Sequence, residues 1–165
     1  MRVAVLVSGG GTNLQALLDA KKEGQLPEAD ICTVISNRKG AYALERAHAN
    51  GIEAIYLPTT RFEERKEFHR ALRDLLVERQ IDLIVLAGFL VVLGEEVIQA
   101  FPNRIINIHP SLIPSFCGKG YYGLHVHEKA LEYGVKVTGA TVHFVNEVVD
   151  GGAIILQKAV EILPD

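Results

Sequence analysis

At 165 residues, 48% apolar and 22% charged, the chain is long enough for one domain with a full core, and it is not a disordered or fibrous sequence. Its formal charge of −3 and pI near 6.1 give no broad positive field to hold a nucleic-acid backbone. Cys32 and Cys117 stand far apart with no C-x-x-C spacing, which excludes a disulfide scaffold and fits a reducing, cytoplasmic compartment, and the longest apolar run (residues 83–94) is too short for a membrane span.

In chain order, Arg2–Val7 reads as a strand buried on both faces. A glycine loop follows, then a helix over Thr12–Glu23 carried by Leu14, Leu17 and Leu18. Ile31–Ser36 is a second strand, Ala41–Asn50 a helix ended by Gly51, and Ile52–Leu57 a short third strand. Phe62–Gln80 reads as a long amphipathic helix, with Arg65 three residues from both Phe62 and Phe68 on the apolar stripe. Leu83–Ala87 and Arg104–Ile108 are further strands. The alternation then breaks into a Pro- and Gly-rich loop over residues 110–123, a helix near His127–Tyr133, and two strands, Lys136–Val145 and Ala153–Ile162. This order predicts a single α/β domain over residues 1–165: an open, mostly parallel twisted sheet with helices on both faces and an antiparallel strand pair at the C-terminal end.

Ligands of such sheets bind outside the carboxyl ends of the strands. Ser8-Gly9-Gly10-Gly11-Thr12-Asn13 joins the first strand to the first helix, where free N–H groups and absent side chains suit an anion, most naturally one phosphate. Neither the dinucleotide fingerprint nor the P-loop fits: Leu14 stands where the last glycine of the former belongs, and no Gly-Lys-Ser/Thr closes the loop. The plainer alternative is a glycine turn needed for packing.

Asn107 and His109 are two apart at a strand end, so they share a face. A carbonyl between them could be polarised by the Asn107 amide while His109 moves a proton. For a lone strand-end histidine, plain hydrogen-bond capping is the alternative. Asp150-Gly151-Gly152 is by itself a hairpin-turn signal. It becomes chemical only if Asp150 reaches His109 and stabilises its imidazolium. Arg65 either snorkels to solvent or meets a carboxylate ligand. His125 and His127 lack a third ligand at a recognisable spacing, so no metal is expected. Ser111 lies in no nucleophile elbow.

Together, Ser8–Asn13, Leu86-Ala87-Gly88-Phe89, Asn107–Pro114, Gly139–Phe144 and Asp150-Gly151-Gly152 resemble the phosphoribosylglycinamide formyltransferases, in order and through almost the whole chain. The resemblance implies the Rossmann-like fold of folate-dependent formyltransferases. It also implies transfer of a formyl group from 10-formyltetrahydrofolate, the co-substrate, to the primary amine of glycinamide ribonucleotide, without a metal. By position, Asn107 would hold the formyl oxygen, His109 would be the general acid/base, and Asp150 would orient it. Gly11, Thr12 and Asn13 would bind the substrate phosphate. Leu90, Val91, Val92 and Leu93, with Asn107, Asn146, Glu147, Val148 and Val149, would wall the pterin, and Arg65 would contact the folate.

Three departures stand out. The family often carries Arg where this chain reads Leu90-Val91-Val92. The Ser115–Tyr122 loop is longer than in the shortest members. Family members also continue into a helical segment that this sequence is expected to lack. No nucleic-acid or membrane partner is implied, and the chain would be a monomer or homodimer. The rival activities are 10-formyltetrahydrofolate hydrolysis by the same three residues, with water as acceptor, and a non-catalytic nucleotide-binding module.

Overall fold

The computed structural model describes residues 1–163, and its backbone forms two compact units, one spanning Met1–Ile105 and one beginning at Ile106. In the first unit, strands β1 (Arg2–Val7), β2 (Asp30–Ser36), β3 (Glu53–Tyr56) and β4 (Leu83–Leu86) lie side by side in the order β3-β2-β1-β4. All three pairings are parallel. β1 is central and buried at every position after Arg2, as its unbroken apolar sequence requires. Helices α1 (Thr12–Lys22) and α2 (Tyr42–Ala49) place Leu14, Leu18, Ala43 and Ala47 in one core cluster with Val3, Val5 and Val7 of β1. Each fully buried Leu there contributes roughly 1.5–3 kcal/mol.

Helix α3 (Arg65–Glu78) begins three residues later than its apolar spacing predicts. The cause is a capping box: Glu64 accepts from the backbone of Glu67, whose carboxylate in turn takes the Glu64 N–H at 3.4 Å. Phe62 is left extended outside the helix yet packs edge-on against Phe68, ring centroids 5.9 Å apart. Arg65 is therefore not on a mid-helix stripe but exposed in the first turn. A 3₁₀ turn (Thr59–Arg61) and the four-residue helix α4 (Glu95–Ile98) are too short to leave a periodic signal in the sequence.

In the second unit, β5 (Ile105–His109, from Ile106 on), β6 (Val137–Phe144) and β7 (Ile154–Glu161) lie in the order β5-β6-β7. Both pairings are antiparallel. The hairpin β6–β7 agrees with the sequence, whereas the antiparallel setting of β6 on β5 depends on the path of residues 110–136 and has no local signature. α5 (Leu124–Tyr133) starts three residues before the expected His127, just after Gly123, whose φ of 56° and ψ of −139° suit only glycine. Parallel α/β strands in one unit and an antiparallel C-terminal trio in the other match the fold class read from the element order.

Candidate active site

The β5–β6 register brings the chemical side chains together. Asn107 lies opposite His143, and His109 opposite Thr141. Directly opposed residues share a face, so these four side chains form one polar group on an otherwise apolar pair of strands. His109, Thr141 and His143 are buried and Asn107 is half-buried.

Asp150 closes the group. It sits in a turn in which the Gly151 N–H donates to the Val148 carbonyl (3.0 Å), and it adopts a left-handed φ of 55°. A Cβ on Gly152 would stand 1.7 Å from the Phe144 carbonyl oxygen, so only glycine lets this turn lie flat on the end of β6. The Asp-Gly-Gly signal is thus both turn and site. Asp150 Oδ1 lies 3.6 Å from His109 Nδ1 and 3.8 Å from His143 Nε2, ion-pair rather than hydrogen-bond distances, while Oδ2 accepts the Gly118 N–H at 2.8 Å.

His143 joins this polar group although the sequence does not single it out. Its Nδ1–H donates to the Phe144 carbonyl at 2.8 Å. Nε2 is then an acceptor, and Asn107 Nδ2 donates to it at 3.1 Å. His143 so fixes which end of the Asn107 amide is the donor and leaves the second Nδ2 proton for a ligand. Its one sequence signal is the period of two from Thr141, which cannot show that it faces Asn107.

His109 Nε2 lies 2.9 Å from the Phe116 carbonyl. With Asp150 near Nδ1 and a carbonyl at Nε2, both ring nitrogens face oxygen acceptors. The start of the loop is tied down by Thr141, whose Oγ1 donates to the Ser111 carbonyl (2.7 Å) and accepts the Ile113 N–H (3.1 Å). Ser111 Oγ is spent on the Ser115 carbonyl at 2.6 Å and is no nucleophile. Burial, and then the Asp150 carboxylate, push the Cys117 thiol up.

The first unit holds the glycine loop. Gly11, at φ 73° and ψ 36°, is the N-cap of α1; no side chain caps that helix and its first turn carries no acid. The Gln15 N–H bonds the Gly11 carbonyl at 2.9 Å, so the N–H groups of Thr12, Asn13 and Leu14 are the free donors of the helix start. Ser8 ties the loop to its neighbours: its hydroxyl donates to Asn37 Oδ1 (2.6 Å) and accepts the Leu90 N–H (2.9 Å). Thr12 and Asn13 are exposed. Uncapped, positively polarised and open to solvent, the loop suits a phosphate.

The same unit has a cleft of about 480 Å³ where Arg65 meets Phe62, Phe68, Leu90 and Val91. Of the residues expected to wall the pterin, Leu90 and Val91 line it, whereas Val92 is 53% exposed and Leu93 is buried, neither of them in its lining. Glu63 and Glu64 also line the cleft, and Glu64 caps the helix, so Arg65 is the one cationic group among its lining residues. Beside it, burial holds the His69 imidazole below its ordinary value against the opposing pull of Glu96, giving a neutral ring packed on Gly94. In the second unit, Asn146, Glu147, Val148 and Val149 are exposed on the turn that carries Asp150. Among the described residues, no three His, Cys, Asp or Glu side chains are placed to hold a metal ion, and no helix is long and apolar enough to cross a membrane.

In the second unit, the grouping of Asn107, His109 and Asp150 has the chemistry that acyl transfer requires: an amide to polarise a carbonyl and an imidazole to move a proton. The profile of the formyl transferase family matches residues 1–165, and the chain belongs to that family. It is 45% identical to the phosphoribosylglycinamide formyltransferase of Haemophilus influenzae, over 99% of this chain and 74% of that protein. It is 48% identical to the trifunctional purine biosynthetic protein adenosine-3 of Drosophila melanogaster, of which it spans 12%. Among solved structures, glycinamide ribonucleotide transformylase 1 of Symbiobacterium toebii superposes with a TM-score of 0.92 at 47% identity, covering 99% of this chain and 74% of that one.

Proposed function

We propose that this chain transfers the formyl group of 10-formyltetrahydrofolate to the primary amine of glycinamide ribonucleotide, a step of purine biosynthesis. The observation that carries this reading is the convergence of Asn107, His109 and Asp150, with His143 fixing the amide. The substrate amine attacks the formyl carbon, and the carbonyl π pair moves onto oxygen. The free Nδ2–H of Asn107 meets that oxyanion; one such donor is worth about 10²–10³ in rate. His109 carries the proton lost by the attacking nitrogen to the leaving folate nitrogen as the C–N bond breaks. For that, Nε2 must exchange the Phe116 carbonyl for the reactant. The amine is already a nucleophile, so no covalent enzyme intermediate is needed.

Gly11, Thr12 and Asn13 hold the substrate phosphate, and Arg65 takes a folate carboxylate while Leu90 and Val91 pack the apolar part. Arg65→Met keeps most of the side-chain length and loses the charge. It is expected to raise the KM for 10-formyltetrahydrofolate by about tenfold with little change in kcat, as loss of uniform binding does. Initial-rate kinetics with each substrate varied check this; a changed KM for the amine alone contradicts it. The substrate assignment is tested by comparing glycinamide ribonucleotide with its dephosphorylated nucleoside. Strong preference for the phosphorylated amine is expected, and equal use of both would remove the phosphate from the reading. Cys32 and Cys117 are free thiols, and we infer a reducing, cytoplasmic setting.

A further inference from the structure

We infer that Arg46, on α2, is a positioning residue for the glycine loop: it turns loop carbonyls away so that the N–H groups face the substrate phosphate. The inference rests on the assignment of that loop to the phosphate and goes one layer deeper. An anion is held by backbone N–H groups only where the carbonyls between them point elsewhere. Here two carbonyls are drawn to α2. Arg46 Nε donates to the Gly10 carbonyl at 2.8 Å, and the Ala43 N–H donates to that of Gly9 at 3.2 Å.

The guanidinium is itself fixed. Its Nη1 donates to Gln15 Oε1 at 2.8 Å, linking α2 to the second turn of α1, and its carbon lies 4.7 Å from the Tyr42 ring centroid. The fit below the loop is close. A Cβ on Gly11 would stand 2.6 Å from Ala43 Cβ and 3.4 Å from Arg46 Cδ, so the left-handed Gly11 rests directly on this helix. Arg46 thus bonds Gly10 on one side and Gln15 on the other, bracketing Gly11–Leu14. A lysine keeps the charge but cannot offer two donors in that fixed fork.

The test uses the full chain with Arg46→Lys, Arg46→Met and Gln15→Met, each checked by circular dichroism and thermal melting. Both Arg46 variants are expected to raise the KM for glycinamide ribonucleotide about tenfold. kcat and the KM for 10-formyltetrahydrofolate should stay within about twofold, and the KM for the dephosphorylated nucleoside should not change. Gln15→Met keeps the Arg46 charge and should give a smaller rise in the same constant. It carries the test if the Arg46 variants do not fold. Wild-type values for Arg46→Lys would show that charge alone matters and overturn the positioning role, as would an unchanged KM in all three variants. If the unmodified chain does not prefer the phosphorylated amine, the phosphate assignment fails first and the role of Arg46 falls with it; a preference with insensitive variants removes only Arg46.

Discussion

His109→Ala is expected to lower kcat for formyl transfer by about 10²–10⁴, the usual worth of a positioned general acid/base. His109 is buried between two acceptors, the Phe116 carbonyl at 2.9 Å and Asp150 at 3.6 Å, and no other imidazole in the group is free to replace it. His143 has both nitrogens committed, one to the Phe144 carbonyl and one to Asn107. The substitution removes one contact each from the Phe116 carbonyl and Asp150, which keep Ser111 Oγ at 3.4 Å and the Gly118 N–H at 2.8 Å. Both lie at the loop side of the site, so the core cluster built on β1 is untouched. Melting temperature and circular dichroism should therefore report a folded, somewhat less stable protein whose transferase activity is lowered by that factor. A folded variant retaining near-normal kcat would remove His109 from the mechanism.

Asp150→Asn has the next largest effect and tests a different link. The amide keeps the size of the carboxylate and an oxygen to accept the Gly118 N–H, so the turn should survive. What is lost is a negative charge 3.6 Å from His109 Nδ1 and 3.8 Å from His143 Nε2, in a side chain only 11% exposed. With that charge gone from beside the ring, kcat should fall by at least tenfold. An unchanged kcat in a folded variant would leave Asp150 with the turn alone.

The parts of this site differ in how far the sequence displays them, and the difference is physical. Asn107 and His109 are visible because a period of two along β5 puts them on one face. The glycine loop is visible because a buried strand, three glycines and a helix start occur in immediate succession. Asp150 is ambiguous, since Asp-Gly-Gly makes a tight turn wherever it occurs; only the β5–β6 register and the glycine-specific approach to Phe144 carry that turn to His109. His143 depends wholly on that register and has no local signal. Arg65 was legible as an exceptional charge among aromatics, but the capping box at Glu64 places it in the first helical turn rather than along the stripe. Arg46 looks like an ordinary surface arginine until α2 is set against the loop. Local periodicity writes strands, helices and shared faces; contacts between distant segments are written by register and close packing.

The most direct test of the account follows the formyl carbon itself. Purified protein is mixed with 10-formyltetrahydrofolate labelled with carbon-13 in the formyl group, and the products are observed by NMR with and without glycinamide ribonucleotide. The account predicts that the label appears as a formamide on the ribonucleotide amine, and that without the amine the donor stays intact. Release of labelled formate at the same rate in the absence of the amine would contradict it and make the chain a hydrolase.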